Sequence, residues 1–185
     1  MRKGFTLLEV LVVMSIMSIL FAILLPAFRA AHESAERSVT MANMRQLYAG
    51  LALYRSDFDD GIYGDAVRMG LPPDLRTLGL SEGLPVTLFH SGCPSVRAPF
   101  LPQALFRQMW HEDGDATEQD WAPYVQRYQG NAALIGDINC DFRDRFYVNP
   151  LVAHRGIAVY EDGHVATIVR TGSTFPYEWW TLTLD

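Results

Sequence analysis

Three groups of side chains in this sequence have the types and spacings to do chemistry. Cys93 and Cys140 are its two cysteines, and in an oxidising compartment they could pair. That bond would close a loop of about 47 residues and contribute roughly 3–4 kcal/mol in the chain-entropy account. The other reading is two unrelated buried thiols. Asp137, Asn139 and Asp141 repeat at every second position, the oxygen spacing that opens a calcium loop. Phe142 stands where such a loop needs glycine, and no glutamate follows at the usual distance, so a plain polar loop competes with a calcium site. His154, Asp162 and His164 offer imidazole and carboxylate for a metal or for proton transfer. No serine or cysteine nucleophile lies in a recognised motif, and the same three residues suit a hairpin with polar ends. The sequence is therefore read as that of a non-enzyme with no catalytic residue, calcium being its one candidate cofactor.

A fourth feature is a single carboxylate, Glu9, in the apolar run GFTLLEVLVVMSIMSILFAILLPAF, residues 4–28. A lone carboxylate in hydrocarbon costs several kcal/mol and is normally paired. The run from Phe5 to Leu25 is about twenty residues, the thickness of a bilayer as a helix. Arg2 and Lys3 precede it, which keeps the N-terminus in the cytoplasm and puts the rest of the chain outside. A secretory signal has a shorter apolar core and a small-residue cleavage site; no such site follows Leu25. The net charge of −6 excludes a broad electrostatic attraction to nucleic acid.

Helical character continues beyond the run. Val39, Met41, Met44, Leu47, Tyr48, Leu51 and Tyr54 recur at steps of mostly three and four, with Arg37, Asn43, Arg45 and Arg55 largely between them. This is an apolar stripe that faces a domain, with a polar back. Pro26 removes one backbone bond and should kink or loosen the helix. Asp59, Asp60, Gly61 and Gly64 end the pattern. One helix from about Thr6 to Phe58 would be about 75–80 Å long.

The remainder is rich in turns, with short helical turns around Leu75 and Leu78, a short helix over PQALFRQMW and a solvated acidic loop at HEDGDATEQD. The clearest strand signal is GIAVYEDGHVATIVR, where Asp162-Gly163 between two β-prone runs predicts strands at 156–161 and 164–170 joined by a type I′ turn. ALIGDI, 133–138, and WWTLTL, 179–184, are further strand candidates. The aromatics of the tail are read as core packing. Together these give an α+β fold, a long N-terminal helix with a membrane half and an amphipathic half, packed on a small antiparallel sheet.

GFTLLEVLVVMSIMSIL resembles the N-terminal signature of type IV pilins and type II secretion pseudopilins. The likeness spans residues 2–28: a basic leader, Gly4 before Phe5, Thr6, Glu9 at the fifth position after the cut, an unbroken apolar run, then Pro26. It implies a pilin-like fold, cleavage between Gly4 and Phe5 by a prepilin peptidase, and methylation of the new amine on Phe5. The leader would be 1–4, the membrane half of the helix 5–25, its amphipathic half 26–58 and the soluble domain 59–185. Loss of Arg2 and Lys3 would make the mature chain two units more negative than −6. A freed amine has a pKa of roughly 8, so Phe5 of one copy can meet Glu9 of the next when subunits stack; the competing reading has Glu9 reach the membrane surface. The implied partners are copies of itself, other pilin-like subunits, prepilin peptidase, an inner-membrane assembly platform and lipid. The implied location is the bacterial inner membrane, single-pass, then a pilus or pseudopilus. MANMRQLYAGLALYRSDFDDGIY, HSGCPS and AHRGIAVYEDGHVATI are similar to pilin-like proteins of planctomycete-type bacteria. The alternative function is a membrane-anchored module that binds glycan or DNA.

Overall fold

Residues Leu7–Phe58 form a single helix, α1, that runs through Pro26 without a break. The structure is a computed structural model and describes residues 6–59, 61, 66, 68–93, 106–110, 118–140, 151–174 and 176–182. The chain divides into two compact units, Met1–Ala35 and Glu36–Asp185.

In the first unit every large apolar side chain from Leu7 to Phe28 is exposed. This part of α1 is long and apolar enough to cross a membrane.

In the second unit the stripe on α1 narrows to Thr40, Met44, Leu47, Gly50 and Leu51, all buried. Met41, Tyr48 and Tyr54 are partly buried against the core. Val39, placed on the stripe by its spacing, is half exposed; it sits at the edge of the face where Gly92 approaches. Four antiparallel strands follow in spatial order β1-β2-β3-β4: β1 is Arg107–Gln108, β2 Ala133–Asp137, β3 Ala153–Tyr160 and β4 Val165–Thr171. β2 and β3 are almost wholly buried, β4 alternates. Met44, Leu47 and Leu51 share one core with Ile135, Ile157 and Val159. An α+β arrangement of one long helix and a small antiparallel sheet is what the sequence predicts.

Four local expectations are corrected. The segment 179–184 is not a strand as far as it is described. Tyr177–Trp180 is a 3₁₀ turn, entered from Pro176. In a strand neighbouring side chains point to opposite faces, whereas Trp179 and Trp180 are both buried, and both reach the same glycine. A Cβ on Gly156 would lie 2.7 Å from the Trp180 ring and 2.9 Å from that of Trp179; one on Gly136 would lie 2.9 Å from Trp180. The two glycines, on adjacent strands, leave the hollow that the indoles fill. The fourth strand is instead β1, inside the predicted PQALFRQMW helix, where Arg107 and Gln108 pair with Gly136 and Ile135. The Gln108 side chain accepts the Leu75 N–H at 2.9 Å and donates to the Pro73 carbonyl at 3.0 Å, which holds the start of α2 (Leu75–Ser81) against the strand. Residues 102–105 of that stretch lie outside the described residues.

The acidic stretch 111–120 ends in a helix, α3, Glu118–Tyr128; 111–117 lie outside the described residues. Trp121, Tyr124 and Val125 form its buried face, and the Tyr124 hydroxyl accepts the Ala133 N–H at 2.7 Å, tying α3 to β2. Finally, the β3–β4 loop is not type I′, which needs positive φ at both central residues. Among the described residues only Gln129 has positive φ without being glycine, so Asp162 does not. The Gly163 N–H donates to the Tyr160 carbonyl at 2.9 Å, and Gly163 itself takes φ +88°. This is a three-residue loop closed by a left-handed glycine.

Candidate functional site

Glu9 is not left alone at the head of α1. Its Oε2 accepts both the Thr6 N–H and the Thr6 hydroxyl at 2.9 Å, and the Thr6 Oγ1 accepts the Glu9 N–H at 3.3 Å. Thr6-x-x-Glu9 is thus a capping box, in which a hydroxyl and a carboxylate satisfy backbone donors that a helix start leaves open. The carboxylate is satisfied within its own chain, an arrangement that neither pairing with a neighbour nor reaching the membrane surface anticipates. Gly4 and Phe5 lie outside the described residues. Both partners of the box fall after the expected cut and survive it.

The histidines do not converge. His154 is buried on β3 opposite Arg170, about 20 Å of strand from Tyr160. His164 belongs to the hairpin tip. Its Nδ1 hydrogen-bonds the Asp162 Oδ1, which also accepts the His164 N–H at 3.0 Å, and its ring stacks on Tyr160 at 4.3 Å. The tip docks on α1: the Tyr48 hydroxyl donates to the Glu161 carbonyl at 2.9 Å, and Arg55 pairs with the Glu161 carboxylate at 3.0 Å. The polar groups at this tip hold the turn and the helix together.

Asp137 is 1% exposed at the end of β2. Its Oδ1 accepts the Asn139 N–H at 3.0 Å and the Asn139 amide, and its Oδ2 accepts the Ser91 hydroxyl at 2.7 Å. A calcium ion needs carboxylate oxygens turned toward it; both of these are turned inward and engaged. Asp141 lies outside the described residues, and among the described residues no three His, Cys, Asp or Glu side chains are grouped to hold a metal. Cys93 and Cys140 are joined by a disulfide, with Cα atoms 5.2 Å apart.

Burial pushes the Asp137 carboxyl above its ordinary value, against the hydrogen bonds from Asn139 and Ser91. The folded state therefore holds this proton more tightly than the unfolded chain does. The associated stability is full below the ordinary carboxylate range and is lost as pH rises through the folded-state value. Urea midpoints measured across mildly acidic to neutral pH should show wild type losing stability relative to Asp137→Asn as the pH rises.

Comparison with protein-family models identifies the prokaryotic N-terminal methylation motif over residues 1–25. No curated protein and no solved structure matches the chain. The matched residues carry the signal of type IV pilins and pseudopilins. This signal implies processing by a prepilin peptidase and assembly with pilin-like subunits, and it points to a structural subunit instead of an enzyme. It extends from residue 1 through the capping box into the exposed apolar part of α1, which suits membrane anchoring. The match does not address the planctomycete-type branch.

Proposed function

We propose that this chain is a structural subunit of a type IV pilus or of a type II secretion pseudopilus-like filament. The carrying observation is the methylation motif at the head of a helix whose large apolar side chains from Leu7 to Phe28 are all exposed. Such a surface is covered either by lipid or by the same surface of other copies. The subunit waits in the inner membrane as a single-pass chain, its C-terminal domain outside the cytoplasm. Prepilin peptidase cuts between Gly4 and Phe5, the Phe5 amine is methylated, and α1 passes from lipid into the filament core. A disulfide in the second unit supports the outward placement of that unit.

In this reading Glu9 has two successive partners. It first caps its own helix through Thr6, then meets the Phe5 amine of an adjacent copy. Mass spectrometry of protein isolated from its native membrane tests the first step. The expected N-terminal residue is N-methylated Phe5; a chain that still begins at Met1 would remove the proposal's main support.

A further inference from the structure

The disulfide does more than join two distant points of the chain, because its surroundings lead to one turn of α1. Thr40 is fully buried there. Its hydroxyl donates to the Glu36 carbonyl at 3.1 Å and accepts the Gly92 N–H at 2.9 Å. The same oxygen lies 3.4 Å from Cys140 Sγ. Gly92 sits flat on the helix: a Cβ there would come within 2.6 Å of the Glu36 oxygen and 2.9 Å of Val39 Cβ. On either side, Asn43 donates to the His90 carbonyl at 3.0 Å, and Ser91 Oγ accepts the Cys93 N–H at 3.0 Å while donating to Asp137. The loop Ser91–Cys93 thus lies on the Glu36–Thr40 turn, and the bond to Cys140 ties it to the end of β2. Glu36 is the first residue of the second unit.

We infer that Cys93–Cys140 is a sealed clasp: oxidation fastens the loop Ser91–Cys93 onto the α1 turn Glu36–Thr40, and the fastened loop then shields the bond from reductant. Closure joins two thiols into one S–S bond. The two electrons and two protons pass to a disulfide oxidant, which leaves as two thiols. Opening reverses this with a dithiol reductant, which leaves as a disulfide, and requires the unit to unfold first. The sulfurs are out of reach of either reagent once the clasp is shut, since Cys93 is 2% and Cys140 1% exposed. The bond is therefore set before the loop settles and then protected by the contacts it has fixed. The turn is fastened only in a chain that has met an oxidising compartment.

The test is hydrogen–deuterium exchange on the full chain in detergent micelles, comparing wild type with Cys93→Ser/Cys140→Ser. Peptides covering 36–44 and 86–93 should exchange about tenfold faster or more in the variant, while β2 and β3 stay within about twofold of wild type. Unchanged protection at 36–44 overturns the clasp. So does equal loss in β2 and β3, because the bond would then hold the fold at large and not this turn. In oxidised wild type, dithiothreitol followed by iodoacetamide should label neither cysteine until denaturant is added. Immediate labelling of the native chain overturns the seal.

Discussion

Glu9→Gln should leave the start of α1 and the cut after Gly4 intact, yet lower incorporation into filaments about tenfold or more. Glutamine can still accept from Thr6, since a capping box works with Glu or Gln at its third helical position. What it loses is the charge, and with it the ion pair proposed with the Phe5 amine of the next copy. A tenfold loss corresponds to only about 1.4 kcal/mol, well within what an unpaired charge costs in hydrocarbon. Glu9→Ala removes the box and the charge together, so by itself it cannot separate the two roles. Thr6→Val completes the set by removing the hydroxyl from the box and leaving the carboxylate. The readout is the sheared filament fraction against the cell-associated pool, with the mass of the chain reporting processing. If Glu9→Gln assembles at the wild-type level and Thr6→Val does not, Glu9 serves its own helix and the pairing proposal fails.

Gly163→Ala should cost the second unit about 2–4 kcal/mol, the sum of two separate penalties. Gly163 takes φ +88°, which a side chain adopts only under strain. The new methyl would also sit 2.4 Å from the Tyr48 ring. The ring has no cheap retreat, because its hydroxyl is bonded to the Glu161 carbonyl. Gly61→Ala supplies the control: Gly61 takes φ +75°, and among the described residues nothing lies within 4 Å of the added methyl. It should lose only the backbone part, about 1 kcal/mol. Urea unfolding of both variants checks the difference; equal losses would mean that Tyr48 moves aside freely.

The parts of this fold that follow one clear period were legible. α1 shows its apolar run and then its three-four stripe, and β3 and β4 show β-prone runs on either side of Asp162-Gly163. Even there the loop type is not fixed by its letters, because Asp-Gly is compatible with more than one hairpin turn and only the bonding of Gly163 to Tyr160 decides. α3 had a usable signal, since Trp121, Tyr124, Val125 and Tyr128 are spaced for one helical face. The acidic residues before them and Pro123 within the helix obscured it. The C-terminal turn could not be read from its own residues. WWTLTL has strand propensity, and what overrides it is the hollow left by Gly136 and Gly156 in distant strands.

At the candidate site the legible and the hidden were mixed. The N-terminal methylation motif could be read because its residues are contiguous in sequence. Thr6-x-x-Glu9 spells a capping box in the same letters, but a carboxylate among apolar residues reads equally as a charge that needs a partner elsewhere. The surroundings of the disulfide depend on Thr40, Ser91 and Asp137, which are far apart in sequence and meet only in the folded unit.

The indole pair over Gly136 and Gly156 has a practical consequence. The chain's four tryptophans are Trp110, Trp121, Trp179 and Trp180, all buried in the second unit. The first unit has none, so ultraviolet emission from tryptophan comes only from the second unit. Trp179 and Trp180 meet edge to face at 4.9 Å, close enough for their transitions to couple and mark the docked tail by near-ultraviolet circular dichroism. Whether the first unit is bathed in detergent, lipid or other helices, these optical signals report the folding of the second unit by itself.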